Sequence, residues 1–160
     1  MFLINVNVFH FRDRTVYFHA MISSNEFSVS NTVLKNESYS TSSESFYAFK
    51  HLGNRGPNSQ SSIEVFDAET DVIFYTQINK DAIACWNTKK NYEIDTQGLV
   101  DSDSYTLVFP NDLKIDRNGY LYVLSNKLPV YMFNKLKPEH NYRILTGKTT
   151  ELIEGTPCEN

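Results

Sequence analysis

The 160-residue sequence has no long apolar run and no basic stripe. A bilayer-spanning helix needs roughly 18–20 apolar residues, whereas the longest apolar runs, 72–75 and 121–124, have the length of strands. The net charge is −4, and the 15 Lys and Arg residues are scattered singly or in pairs. A phosphate backbone would therefore find no matching surface, and we expect neither a membrane nor a nucleic acid as a partner.

Cysteine is scarce, with only Cys85 and Cys158 in the chain. Two cysteines are too few for a disulfide-dense small scaffold, and these two lie too far apart for a CxxC redox or zinc pair. They form either one disulfide or two free thiols. Residues 1–9 are apolar but lack preceding Lys or Arg and a small-residue cleavage site, so they are not interpreted as a signal peptide.

Familiar catalytic and cofactor motifs are also missing. The sequence contains no GxSxG, phosphate loop, GxGxxG or HExxH. The four histidines, His10, His19, His51 and His140, lie far apart with no i, i+4 pair. A lone histidine in a strand is usually structural, and the apolar strand around Cys85 indicates a structural cysteine. We therefore expect no cofactor and no metal, and no catalytic residue can be assigned.

The residues that are abundant favour strands and turns. Five Ala stand against sixteen Asn and fifteen Ser, and 14% of the residues are aromatic. Three aromatic and β-branched segments, 15–20, 71–76 and 120–125, superpose without gaps at offsets of 56 and 49 residues. A spacing of about 40–50 residues with four short strands is typical of a β-propeller blade. A β-sandwich is the alternative.

The repeat predicts individual elements in the second and third units. The expected strands are residues 61–67, 72–78, 82–87, 107–109, 113–116, 121–125 and 130–133. Residues 68–70 form one turn, and Asn118-Gly119 predicts a type I′ hairpin with positive φ at both residues. Residues 38–45 are expected to form a polar loop, and residues 149–153 a short helix capped by Thr149 or Thr150 and stopped by Gly155 and Pro157. About three blades result, whereas a closed ring needs at least about four.

Six segments along the chain carry a resemblance to a known family. They are Gly-Asn-Arg-Gly-Pro-Asn-Ser-Gln-Ser-Ser at 53–62, Phe-Tyr-Thr-Gln-Ile-Asn-Lys-Asp at 74–81, Cys-Trp-Asn at 85–87, Phe-Pro-Asn-Asp-Leu-Lys at 109–114, Tyr-Arg-Ile-Leu-Thr-Gly at 142–147 and Gly-Thr-Pro-Cys at 155–158. In this order and without a large gap, they resemble the insect Yellow and major royal jelly protein family. The resemblance covers residues 13–160, and residues 1–12 have no counterpart.

The resemblance implies an all-β fold, a secreted and often glycosylated six-bladed propeller of which this chain is the C-terminal half. The missing N-terminal half is then an expected partner. An oxidising secretory route predicts a disulfide between Cys85 and Cys158 that pins the C-terminal tail. Asn36-Glu37-Ser38 is the only N-glycosylation sequon and borders the Ser-rich segment.

A ligand mouth is predicted where loops of neighbouring blades converge on a central channel. The repeat aligns Gln77 with Asn126 and Asn79 with Leu128, and Pro110-Asn111-Asp112 is expected to interrupt a strand beside the same opening. The predicted ligand-binding residues are Gln77, Asn79, Phe109, Asn111, Asp112, Asn126 and Leu128. Their amides would bind the ligand with one carboxylate, between apolar walls formed by Phe109 and Leu128. The alternative is that the amides only satisfy loop backbone.

Three functions remain open at this point. The first, which we favour, is binding of a small ligand such as a biogenic amine or catechol at the mouth. The second is a melanin-pathway enzyme that isomerises dopachrome, a proton shift that requires a general base. The third is a secreted nutritional or structural protein without a ligand site.

Overall fold

Three antiparallel sheets follow one another along the chain in the computed structural model, which describes residues 7–9, 14–133 and 136–160. The first sheet contains β1 (Asn7–Phe9), β2 (Thr15–Phe18), β3 (Asn25–Ser30) and β4 (Lys50–Asn54). The second contains β5 (Glu64–Asp67), β6 (Val72–Gln77), β7 (Ala82–Asn87) and β8 (Gln97–Ser102). The third contains β9 (Pro110–Ile115), β10 (Tyr120–Ser125) and β11 (Arg143–Lys148).

Short helices connect or follow these strands. They are α1 (Asn31–Lys35), α2 (Glu37–Ser40), α3 (Leu128–Phe133) and α4 (Thr149–Leu152), with 3-10 helices at Ser43–Ala48 and Ile94–Thr96. In the part of the chain that the structure describes, no helix has both the length and the apolar character that crossing a membrane requires.

The three predicted repeat segments form the second strand of their sheets, which confirms the repeat. The register, however, differs by one residue at each step. At the end of the pairing between the second and third strands of each sheet, one backbone hydrogen bond marks the register. The donors and acceptors are Asn31 N and Arg14 O, Thr88 N and Asp71 O, and Thr149 N and Gly119 O. Arg14, Asp71 and Gly119 are therefore equivalent, and the offsets are 57 and 48 residues. A one-residue slip turns every side chain to the other face of the sheet.

Four local predictions are wrong. Residues 130–133 belong to α3, and residues 107–109 precede β9 as a bend. Residues 110–112 begin β9 and do not interrupt a strand. The segment 38–45, expected as a loop, contributes to α2 and to the 3-10 helix at Ser43–Ala48. In each case the local composition was compatible with several structures, and tertiary packing decided between them.

The turn between β9 and β10 is not type I′. Only Gly119 has a positive φ, +77°, while Asn118 does not. The Asp116 carboxylate accepts hydrogen bonds from the backbone N–H groups of Asn118 and Tyr120, both at 2.9 Å. This side chain organises a four-residue loop, and glycine is needed at one position only.

The C-terminal helix is confirmed as α4, although Lys148, and neither threonine, occupies its N-cap. After α4 the tail returns to the second sheet, where Cys158 is bonded to Cys85 with a Cα–Cα distance of 6.1 Å. The predicted disulfide is therefore present. Gly98 makes room for it, since an added Cβ would lie 2.8 Å from Cys85 Sγ and 3.0 Å from Cys158 Sγ.

Two apolar cores hold the sheets face to face. Between the second and third sheets lie ten buried residues: Val72, Phe74, Ile83, Cys85, Leu107, Leu113, Leu121, Val123, Ile153 and Cys158. Between the first and second sheets the core is aromatic, with Phe66, Ile73, Tyr75, Ala84, Trp86 and Tyr92 against Tyr17 and Leu52. Alternate residues of β6 thus face opposite neighbours, so this strand is buried on both sides.

Gly53 in β4 sets the approach of the first sheet to the second. A Cβ at this position would overlap the backbone oxygen of Tyr92, and a backbone atom cannot move aside as the end of a flexible side chain can. We expect Gly53→Ala to lower the free energy of unfolding by about 1–3 kcal/mol, as overpacking does. Urea unfolding followed by Trp86 fluorescence measures this, with the exposed Lys50→Ala in the same strand as the control. An equal midpoint for both variants would contradict the close approach.

Candidate functional site

The predicted ligand-binding residues of the second and third sheets gather at one edge. At this edge β6 and β10 end and β9 begins. Gln77 is the last residue of β6, and Asn126 directly follows β10. Asn111 and Asp112 are the second and third residues of β9. The corrected register makes Gln77 equivalent to Ser125, so the aligned pairs of the prediction are each displaced by one residue.

Several of these side chains are engaged locally. Asn126 Oδ1 accepts a hydrogen bond from Leu128 N at 3.1 Å, and Asp112 Oδ1 accepts one from Leu113 N at 2.9 Å. The Asn79 side-chain amide donates to Gln60 Oε1 at 2.8 Å. Asn126 and Asp112 thus support backbone while remaining half-buried.

The surface recesses do not combine all seven residues. Gln77 lies in a recess with Arg55, Tyr75 and Lys80. Asp112 lies in a different one with Tyr122 and Ile144. A third and larger recess, of about 590 Å³, lies between the second and third sheets at the same edge. We call it the mouth groove; its lining is Asp81, Ser104, Val108, Lys127, Val130, Lys137, Glu139 and Asn141.

The mouth groove is lined by the sequence neighbours of three predicted residues. Val108 precedes Phe109, and Lys127 lies between Asn126 and Leu128. The repeat therefore located the correct loops but not the side chains that line the groove. Only a weak sequence signal indicates the lining residues themselves. Asp81 and Lys127 are single charged residues that follow strands, and such residues are common in loops.

The backbone around the mouth groove adopts uncommon conformations. Asp81, Phe109 and Lys127 have φ values of +48°, +47° and +45°. A non-glycine residue in this region costs of order 1–2 kcal/mol. One compensating contact is the hydrogen bond from Phe109 N to Asp81 Oδ1, 3.1 Å, which ties the third sheet's first loop to the second sheet.

The polar groups of the mouth groove have both signs of charge. Lys127 Nζ donates to Glu139 Oε1 at 2.9 Å and lies 5.6 Å from the centre of the Tyr105 ring. Hydrogen bonding to Lys127 lowers the pKa of Glu139. Asn141 Oδ1 is buried and has no hydrogen-bond partner among the described residues. A buried acceptor without a donor is costly, and a ligand N–H or O–H could supply the donor.

A second polar cluster lies at the same edge but between the first and second sheets. We call it the buried cluster, and it consists of His19, Glu26, Glu64 and Arg55, each at most 4% exposed. His19 Nδ1 lies 3.1 Å from Glu26 Oε2 and 3.2 Å from Glu64 Oε2. The three side chains come from the end of β2, from β3 and from the start of β5, so the contacts join two sheets.

Arg55 completes the buried cluster from the segment after β4. Its Nη1 donates to Glu26 Oε2 at 2.5 Å, its Nε to Ser59 O at 3.1 Å and its Nη2 to Ser23 O at 2.8 Å. Every nitrogen of the guanidinium therefore has an acceptor, which is what burial of this group requires.

The environment shifts the pKa values of His19 and Glu26 in the buried cluster. Burial alone would lower the pKa of His19, but the hydrogen bonds and charges of Glu26 and Glu64 raise it to about 9. Burial, together with the charge of Glu64, raises the pKa of Glu26 to about 7 against the opposing effects of His19 and Arg55. Buried positive and negative groups compensate one another here.

Sequence reasoning did not find the buried cluster. His19 was interpreted as a lone structural histidine, and its partners lie 7 and 45 positions further along the chain. Of the cluster, only Arg55 fell within a segment that carried the family resemblance.

Comparison with known proteins identifies the family. Residues 2–158 match the sequence profile of the major royal jelly proteins. The chain belongs to the major royal jelly protein family. It is 41% identical over 147 residues to a protein named L-dopachrome tautomerase yellow-f from Drosophila melanogaster, covering 91% of this chain and 34% of that relative. It is 35% identical to Protein yellow of the same species, covering 27% of it, and to Protein yellow of Drosophila subobscura, covering 25%.

Family membership also establishes the architecture. The chain spans about a third or less of the curated relatives that it matches. The three sheets are consecutive blades of a β-propeller, and the chain covers only part of the ring.

Proposed function

We propose that this major royal jelly protein family member binds a small amine or catechol in the mouth groove. The observation that carries the proposal is that Asn141, a residue of the groove lining, has a buried Oδ1 with no hydrogen-bond partner among the described residues. The proposed ligand supplies the missing N–H or O–H. A recess of this size at the converging loops of two blades suits a ligand of about a dozen heavy atoms.

One carboxylate of the groove, that of Asp81, can pair with the positive group of an amine. Asp81 offers a carboxylate whose Oδ1 already holds Phe109 N, which fixes its orientation. Val108 and Val130 supply apolar walls of the kind that accept a ring. Phe109, Asn126 and Leu128 are sequence neighbours of the lining residues Val108 and Lys127, and Asn111 and Asp112 lie on β9. Serotonin and dopamine each combine an ammonium, an aromatic ring and a hydroxyl group.

The test is a calorimetric titration of serotonin and dopamine into the full-length protein. We expect Asn141→Ala to weaken binding by about tenfold, because the one unsatisfied acceptor is removed. Asn126→Ala should weaken it less, by about threefold, since this amide only orders the loop at Leu128. Asn118→Ala, in the turn at the opposite end of the same sheet, is the control.

Unchanged affinity in the Asn141 and Asn126 variants, with the fold retained by circular dichroism, would remove both residues from the site. No heat with either amine or with a catechol would instead favour a nutritional or structural role.

A second candidate function is dopachrome conversion, favoured by the name of the 41% identical relative. Such a proton shift needs a general base that substrate can reach. Asp81 and Asp112 are two carboxylates of this edge that are not fully buried, and neither forms the ion pair that occupies Glu139. Decay of dopachrome absorbance measures turnover, and Asp81→Asn and Asp112→Asn separate the two carboxylates. Wild-type decay no faster than the uncatalysed rate would eliminate this function.

We also propose that the protein is secreted, that Asn36 carries a glycan, and that an N-terminal half of the propeller is its partner. Asn36 is exposed, and its Oδ1 accepts a hydrogen bond from Tyr39 N at 3.1 Å. This capping contact does not use the Nδ2 atom to which a glycan attaches. The glycan can be tested with protein expressed in insect cells. Glycosidase treatment should lower the mass of the wild type and leave the mass of an Asn36→Gln variant unchanged.

A further inference from the structure

We propose that the buried cluster is a binding site for one divalent transition-metal ion, held by His19, Glu26 and Glu64. The geometry is that of a ligand set. One donor atom from each of the three side chains lies within 4.8 Å of the other two. The proposal departs from the sequence-based expectation that no metal is bound, and it is independent of the function proposed for the mouth groove.

The spacing of the donors fits a small cation. Zinc bonds to imidazole nitrogen at about 2.0–2.1 Å and to carboxylate oxygen at about 2.0–2.2 Å, so two tetrahedral ligands lie about 3.4 Å apart. His19 Nδ1 is 3.1 Å from Glu26 Oε2 and 3.2 Å from Glu64 Oε2. A mixed nitrogen and oxygen set of this kind is also one that zinc and its neighbours in the first transition row accept.

A single proton satisfies this arrangement less completely than an ion. Nδ1 of an imidazole carries at most one N–H, and that bond cannot point straight at two oxygens that lie at nearly equal distances. Moreover, Glu26 Oε1 is buried and has no hydrogen-bond partner among the described residues. An ion can be shared by all three side chains at once, and it can be reached by either oxygen of a carboxylate.

Arg55 lies beside the three proposed ligands. Arg55 does not compete for the ligand positions of His19 and Glu64. Its hydrogen bonds to Glu26, Ser23 and Ser59 hold one ligating carboxylate in place, the role that outer partners have in protein metal sites.

The position of the site gives the ion a structural consequence. His19 directly follows β2 and Glu26 lies in β3 of the first sheet, whereas Glu64 is the first residue of β5 in the second. An ion bound to all three would clamp two blades together. Anything that binds the folded form alone raises its stability, so metal should raise the midpoint of thermal unfolding.

The experiment uses untagged full-length protein, stripped with a chelator and titrated with Zn²⁺ or Co²⁺ alone. We expect about one equivalent of metal per chain, visible d–d absorption for Co²⁺, and a higher unfolding midpoint with Zn²⁺. Glu64→Gln and His19→Gln keep side-chain size approximately and should weaken uptake at least tenfold. His51→Gln is the matched control, because His51 is exposed and its imidazole lies 3.3 Å from Asn25 Oδ1, away from the buried cluster.

Failure of the stripped wild type to take up metal overturns the proposal, and so does equal uptake by wild type, Glu64→Gln and His19→Gln. If the variants do not fold, X-ray absorption of the zinc-loaded wild type decides. A first shell with one imidazole and otherwise oxygen supports the site. Two or more imidazoles overturn it, since the buried cluster contains one histidine.

Discussion

Replacing Cys85 and Cys158 together by serine is expected to lower the free energy of unfolding by about 4 kcal/mol. The disulfide closes a loop with a sequence separation of 73 residues, and the chain-entropy model assigns this stabilisation to a loop of that size. Few single contacts in a domain are worth as much. The loss should appear as a lower denaturation midpoint with an equal or larger dependence on denaturant concentration.

Loss of the disulfide should also loosen the C-terminal tail, which has few other attachments to the second sheet. Asn87 donates to Cys158 O at 3.0 Å, and Lys90 Nζ donates to Pro157 O at 2.7 Å and Glu159 O at 2.8 Å. These contacts hold the tail only while the disulfide keeps it in register. Without the disulfide, proteolysis should remove the residues after α4 first.

The double variant has a useful companion in Gly98→Ala. Its added methyl group would meet Cys85 Sγ, Cys158 Sγ and the Thr156 side chain at 3.0 Å or less. It should therefore destabilise wild type more than it destabilises the double serine variant, in which the two Sγ atoms are gone. Equal costs in both backgrounds, or a double serine variant as stable as wild type, would show that the bridge does not fasten the tail.

Prediction from sequence succeeded where one signal dominated. The strands β6 and β7 are continuous runs of buried residues between turn residues, so their bounds were predicted almost correctly. The register was harder, because Thr15–Phe18 and its counterparts all alternate apolar and polar residues imperfectly. A gap-free alignment maximises the similarity of residues and ignores which backbone groups pair. The aligned register was therefore wrong by one residue at each step of the repeat.

The site residues show the same division. Phe109, Asn126 and Leu128 lie in loops that the repeat placed correctly, while the lining residue Asn141 lies in a segment that carries no repeat. The buried cluster depends on side chains from three strands of two sheets, and only tertiary structure brings His19 next to Glu64. No spacing rule for metals or catalytic groups applies to such a distribution.

The outer face of the third sheet exposes large apolar residues at positions whose equivalents in the second sheet are buried. In the second sheet, Val72 and Phe74 are fully buried against the third. The register makes Tyr120 and Tyr122 their equivalents, and these are 42% and 39% exposed. Ile144, beside them on β11, is 72% exposed. Within the described residues the third sheet also has three strands where the others have four, so β11 offers an open edge.

We therefore expect the 160-residue chain, expressed by itself, to associate and not to remain a monodisperse monomer. Exposed aromatic faces and open strand edges of this kind drive association. Light scattering coupled to size exclusion measures it. Tyr122→Lys combined with Ile144→Lys should restore a large monomeric fraction, whereas Tyr47→Lys, at an 84% exposed tyrosine beside the first sheet, should not. Co-expression with the proposed N-terminal half should suppress association by covering the same face. A wild-type chain that elutes as a single monomer and unfolds in one sharp thermal transition would show that this face needs no cover.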